Sequence, residues 1–176
     1  MAAKTTWIID PGHSEVRFKI KHLAIANVNG HFKSFHGQVT SPDENSFDGA
    51  EVEVSLESGS LDTNHPQRDG HLKSPDFLDV ENHPVILFKG LLREEAGEYV
   101  LEGELSIKGT SRSIRLDAEL TGMGKGRFGD TRAGFEVKGK INRKDFGLTW
   151  NILAEGGGLV VGEDIQLYFD IELIKQ

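Results

Sequence analysis

Apolar and polar residues alternate with period two along most of this chain. In Ser14–His22 the residues Val16, Phe18, Ile20 and His22 share one face, and Arg17, Lys19 and Lys21 share the other. Successive side chains of a strand point to opposite sides, so the first set is expected inward and the cations in water. Ala50–Glu57 sets Ala50, Val52, Val54 and Leu56 against Glu51, Glu53, Ser55 and Glu57. Further runs are Val85–Phe88, Tyr99–Lys108, Ser113–Leu120, Phe135–Ile141 and a closing run through Ile165, Leu167, Phe169, Ile171 and Leu173. Between Phe32 and Phe35 the alternation breaks, predicting a bulge ahead of Gly37. Turns are expected at Asp10-Pro11-Gly12, Asn27–Gly30, Pro42–Ser46, Glu94–Glu98, Gly109-Thr110-Ser111, the glycine-rich Thr121–Thr131 and Gly156-Gly157-Gly158.

One long passage, Ser60–Gly90, is not a simple strand. Asp62 or Thr63 is placed to cap a helical turn running toward Leu72, and Ser74-Pro75-Asp76 to open a second with Pro75 at its first position. The pattern as a whole predicts an all-β, up-and-down antiparallel architecture with a short helical segment in mid-chain. Alternation alone fits both a sandwich and a barrel; a barrel of about eight strands is wide enough for side chains or for one small ligand.

Composition narrows the functional classes. The chain has 176 residues, expected to form one domain over 1–176, with 28 Asp+Glu against 20 Lys+Arg and a net charge of −8. That balance disfavours nucleic acid, which needs a concentrated cationic face. With no cysteine, disulfides, thiolate metal sites and a Cys nucleophile are excluded. No stretch approaches the ~20 apolar residues of a membrane helix, and MAAKTTWIIDPGHS lacks a signal-peptide core. A cytoplasmic protein is expected from the residues as written, or a periplasmic one if a leader has been removed.

Catalytic and metal patterns do not assemble. The seven histidines, at 13, 22, 31, 36, 65, 71 and 83, show no zinc spacing. His31 and His36, five apart in one strand, are expected on opposite faces. His22 is expected as a core histidine, and His71 and Arg68 as buried partners tying the central passage to the sheet. Gly124-Lys125-Gly126-Arg127-Phe128-Gly129 matches the dinucleotide fingerprint literally, but a strand follows where that site needs a helix.

The ordered motifs carry a resemblance. Trp7-Ile8-Ile9-Asp10, His13-Ser14, the Phe18 strand and Gly30-x-Phe32-x-x-Phe35-x-Gly37 resemble the opening of the YceI family. Ser60-Leu61-x-Thr63, Arg68-Asp69-x-His71-Leu72, Phe77 and His83-Pro84 are similar to its most distinctive segment. Gly103-x-Leu105-x-Ile107-x-Gly109, Asn142-Arg143-x-x-Phe146-Gly147-Leu148-x-Trp150 and Val161-Gly162-Glu163 complete the set. The resemblance implies an extended, lipocalin-like barrel that binds a long polyisoprenoid, such as an isoprenoid-quinone precursor or polyprenyl phosphate. Many relatives are exported, and no catalytic residues or cofactors come with the family.

The expected lining is Val16, Phe18, Ile20, His22, Phe32, Phe77, Phe88, Leu105, Ile107, Phe135, Val137, Phe146 and Trp150. Arg68 and His71 are expected at the mouth, within reach of a head group. The expected role is a carrier or storage protein rather than an enzyme, with the lipid as partner, no metal, and a homodimer left open. Two alternatives stand beside it: a stress-related structural or interaction protein with a filled core, and an enzyme on a lipid-like substrate using His22 and His71.

Overall fold

The computed structural model describes residues 3–23, 25–151 and 161–176; the expected Gly156-Gly157-Gly158 turn lies outside them. The alternating runs become strands, and Asn27–Gly30, expected as a turn, instead pairs along the second strand: β1 (Thr5–Ile9), β2 (Glu15–His22), β3 (Ala26–Phe32), β4 (Phe35–Ser41), β5 (Glu51–Glu57) and β6 (Leu61–Asp62). A single helix, α1 (Pro66–Lys73), follows. Then come β7 (Val85–Glu95), β8 (Glu98–Ile107), β9 (Thr110–Lys125), β10 (Thr131–Asn142) and β11 (Val161–Lys175).

Three pairs of short strands lie end to end. β1 and β2 both run beside β11, Trp7 opposite Lys175 and Phe18 opposite Leu167. β4 and β3 pair with β1 and β2, and β5 and β6 pair in turn with β4 and β3. The joined pairs and β7 to β11 therefore form eight antiparallel staves, each beside its chain neighbour and the first closed onto the last. Closure removes the exposed edges an open sheet would leave. The interruption between β1 and β2 is set by Pro11, which has no N–H for the ladder. Across it the Ser14 hydroxyl accepts from the Glu172 N–H at 3.0 Å in place of a backbone carbonyl.

Two hairpins turn more tightly than the sequence suggests. Ala96-Gly97 (φ 51° and 84°) joins β7 to β8, and Lys108-Gly109 (φ 49° and 76°) joins β8 to β9. Two successive left-handed residues match the twist of paired strands, so the strands run on into positions expected as turn. Gly90 and Gly103 face each other across β7 and β8. A Cβ on Gly103 would stand 2.3 Å from the Lys89 carbonyl oxygen and 2.5 Å from the Gly90 Cα. Gly103→Ala is therefore expected to cost roughly 1–3 kcal/mol, read as a lower urea midpoint at unchanged slope.

The Pro42–Ala50 connection folds under one end of the barrel. Trp7 and Phe47 are fully buried there, Phe47 sits 5.0 Å from both the Trp7 and Phe135 rings, and the Trp7 indole donates to Ser41 Oγ at 3.0 Å. At the same end Arg132 bridges Asp10 at 2.7 Å, Glu172 at 3.0 Å and Asp130 at 3.0 Å. The Arg132 guanidinium, then the His13 ring, hold the Asp10 carboxyl below its ordinary pKa. A depressed pKa contributes stability that is present above the unfolded value of about 3.9 and lost as pH falls through the folded one. Asp10→Asn is expected to flatten the loss of melting temperature between about pH 5 and 3, while the native protein loses it progressively.

Some local expectations are corrected. Gly122 and Gly124 lie within β9, which pairs to Lys125 opposite Thr131, so the turn shrinks to 126–130. Lys33 and Ser34, which lie between the two strands, shift the phase between β3 and β4, so His31 and His36 are both exposed instead of facing opposite ways. His65, not Asp62 or Thr63, caps α1: its Nδ1 accepts from the Arg68 N–H at 3.1 Å, Pro66 follows, and Gly70 is accommodated within the helix. Ser74-Pro75-Asp76 forms a hydrogen-bonded turn, with Phe77 N–H on the Ser74 carbonyl, and no second helix.

Candidate functional site

The inward residues of the eight staves do not meet in the middle. They enclose a cavity of about 410 Å³. A single water takes on the order of 10–15 Å³ of such space, so this is far larger than a packing defect. The filled-core alternative does not fit this interior. The cavity runs from Ile9, Val39 and Leu173 near the Trp7 end to Phe77, Trp150 and Val161 at the other. Ala118 on β9 points inward between Leu116 and Leu120, where a larger side chain would cross the bore.

The walls are apolar and the polar lining is cationic. Among the described residues the lining's titratable groups are Arg17, Lys21, His22, Arg68, His71 and Arg143, with no carboxylate. Lys21 and His22 are exposed, and both stand where β2 ends, so the cavity opens at that end, opposite the Trp7–Phe47 floor. His22 has the inward parity expected of it, but it is no core histidine. β2 stops there, so the inward direction meets the rim instead of packed side chains.

The central passage forms a roof over this end. Arg68 folds back on the loop before its helix, donating from Nε to Thr63 Oγ1 at 2.8 Å and from Nη2 to the Thr63 carbonyl at 2.7 Å. His71 does not pair with Arg68; its Nε2 lies 2.9 Å from Asp76 Oδ2 and the ring is partly exposed. Its edge meets Trp150 at 4.5 Å and Phe77 at 5.2 Å between ring centres, and Phe77 lies 5.3 Å from Trp150. Edge-to-face contacts of this kind pin the roof to the segment after β10.

Of the expected lining, Val16, Phe18 and Ile20 on β2, Phe32 on β3, Phe88 on β7, Leu105 and Ile107 on β8, and Phe135 and Val137 on β10 all stand in the cavity wall. Phe77 and Trp150 line it under the roof. Arg68 and His71 reach the same space near the mouth. Phe146 does not: it is buried at 1 % exposure in the 3-10 turn Arg143–Phe146, outside the cavity wall. That turn ends at Gly147, whose left-handed φ of 75° sends the chain back and leaves Leu148, not Phe146, facing the cavity.

Arg143 escaped the sequence reading. It is 1 % exposed, yet no carboxylate among the described residues pairs with it. Its guanidinium donates to the carbonyls of Leu148 (2.6 Å), Trp150 (2.9 Å), Gly162 (2.7 Å) and Val161 (3.4 Å). Burial pushes its pKa below the ordinary arginine value. Asn151 supports the same junction, exchanging hydrogen bonds with Val161 at 2.7 and 3.1 Å. In sequence Asn142-Arg143-Lys144-Asp145 reads as a solvated polar run; its place in the resemblance block was the one available signal.

Comparison with known proteins adds the following. Residues 7–173 match the model of the YceI-like domain. Protein YceI of Salmonella newport is 34% identical over 165 residues, covering 93% of this chain and 83% of that protein. The crystal structure of the Campylobacter jejuni YCEI protein is 30% identical and superposes with a TM-score of 0.72, over 90% of this chain and 91% of that one. A polyisoprenoid binding domain from Saccharophagus degradans shares the fold at 13% identity, with a TM-score of 0.69 over 97% and 98% of the two chains.

Proposed function

Because this chain belongs to the YceI-like family, we propose that its barrel holds the hydrocarbon tail of a long-chain polyisoprenoid or isoprenoid-quinone-type lipid, as a carrier or storage protein. One observation carries the reading: an apolar bore of about 410 Å³ whose polar groups gather chiefly toward one end. Burying apolar surface contributes on the order of 25 cal/mol per Å², so each five-carbon isoprene unit taken from water adds a few kcal/mol. A long chain needs no specific polar contact to be held. The polyisoprenoid binding domain of S. degradans, alike in fold, supports the choice of lipid class.

The mouth favours a polar or anionic head. His22, Arg68 and His71 stand there with Lys21 and no lining carboxylate, so a phosphate or a quinone ring carbonyl meets N–H donors and no like charge from the lining. Retention and shielding, not chemistry, are the activity of such a site.

Organic extraction of the purified protein followed by mass spectrometry tests this directly. A prenyl species near one per chain is the expected result. An extract still empty after incubation with long-chain polyprenol would overturn it. Turnover of a prenyl substrate that disappears in a His22→Ala, His71→Ala double variant would instead favour the enzyme.

A further inference from the structure

The distribution of charge along one lip of the mouth is not that of the rest of the molecule. Residues 16–42 contain no Asp or Glu, in a chain that carries 28 of them. This stretch holds β3 and all of β2 but its first residue, Glu15, the hairpin that forms one lip of the cavity opening. Arg17, Lys19 and Lys21 alternate along it with Phe18 and Ile20; Lys19 stays clear of the cavity, while Arg17 and Lys21 also border its rim. Arg17 is neutralised by Asp170 and Glu15, and Lys33 by Asp62. Lys19 and Lys21 form no ion pair with any described residue; Lys19 lies 5.1 Å over the Tyr168 ring.

Two apolar residues at the end of the same hairpin are left unburied. Leu23 is 39% exposed and Ile25 is 83% exposed, just beyond the rim residue His22. Neither lines the cavity, so neither is held out by a role in it. Folding leaves an isoleucine in water at a cost, and here it does so beside the cavity mouth formed by the described residues. Apolar tips flanked by lysines are what an anionic lipid surface recognises: the side chains enter the acyl boundary while the cations meet the phosphates.

We infer that the β2–β3 hairpin docks on an anionic phospholipid bilayer, with Leu23 and Ile25 inserted and Lys19 and Lys21 on the head groups, setting the cavity mouth against the membrane. The purpose of this contact rests on the lipid-binding reading above; the contact itself does not. Docked in this way, a prenyl chain moves between bilayer and barrel without crossing bulk water. The acidic remainder of the surface is repelled by the same membrane, which fixes the orientation.

Flotation with vesicles of phosphatidylglycerol or of phosphatidylcholine, at low and high salt, tests the inference. The expected result is binding to phosphatidylglycerol vesicles, weaker at high salt and on phosphatidylcholine. A Leu23→Asp, Ile25→Asp double variant and Lys19→Glu should each lose on the order of tenfold in partition or more. Uptake of detergent-dispersed polyprenol by these variants should be unchanged, since none of the three residues lines the cavity. Phe128, 89% exposed on the turn at the opposite end, supplies the control: Phe128→Ser should bind vesicles as the native protein does. No flotation with the native protein, equal flotation of the hairpin variants, or loss through Phe128→Ser would each overturn the docking. Flotation without polyprenol uptake would leave the docking standing and sink the lipid-binding function instead.

Discussion

An Ala118→Trp protein is expected to fold normally and to lose its lipid. Ala118 is buried on β9 opposite Tyr99 and Val137, and its side chain faces the cavity midway along the bore. An indole projected there occupies space that is empty, so it displaces ligand rather than neighbours and avoids the usual penalty of overpacking. Excluding even one isoprene unit removes a few kcal/mol of burial, and about 2.7 kcal/mol is a hundredfold in affinity. The measurement is prenyl lipid recovered per mole of protein, alongside the melting temperature. Recovery equal to that of the native protein would show that the lipid does not run along the barrel. A plugged barrel with raised melting temperature and an empty extract is the predicted pair of results.

The second large effect is on stability. Arg143→Met keeps much of the side chain's length and apolar stem but strands the carbonyls of Leu148, Trp150, Val161 and Gly162. A buried polar group left without a partner costs roughly 1–3 kcal/mol, and some of these carbonyls will relax toward water. A net loss of about 3–5 kcal/mol is expected, a large part of the stability of an ordinary domain. Arg143→Lys should recover little, because an ammonium cannot reach four acceptors spread around a planar fork. Urea unfolding of both variants checks this. A shift of under about 1 kcal/mol in Arg143→Met would show that the junction after β10 is held by other contacts.

Both effects bear on what could be read before the structure. The alternation of β2, β5, β10 and β11 was plain, because a period of two over seven or more residues has few other meanings. Inward parity then led directly to lining positions such as Phe18, Phe88, Leu105 and Val137. Sandwich or barrel was open on the pattern alone, because the deciding contact joins Trp7 to Lys175 and no local signal marks it. The burial expected of His22 and the cavity position expected of Phe146 did not hold, for a related reason: parity gives a direction, but depth depends on where a strand stops and how the next turn runs. Arg143 was hidden because a charged residue in a charged run looks solvated, whereas its partners are carbonyls that every residue possesses. The cap on α1 was misplaced since Asp62, Thr63 and His65 all carry an acceptor at a usable spacing.

The seam between β1 and β11 also bears on how the molecule comes to exist. Its residues are separated by almost the full length of the chain, so the barrel cannot shut until the last strand is available. Until then an apolar trough lies open along the growing sheet, with strand edges on both sides. Closing so long a loop is entropically costly and yields its contacts late, which places refolding in the slower range of milliseconds to seconds typical of sheet proteins. The same open trough is the species most prone to aggregate, so yield on refolding should fall steeply with protein concentration. A hydrophobic chain that enters the trough before the seam closes would shield it, so that the ligand of the proposed function would serve as a folding aid as well.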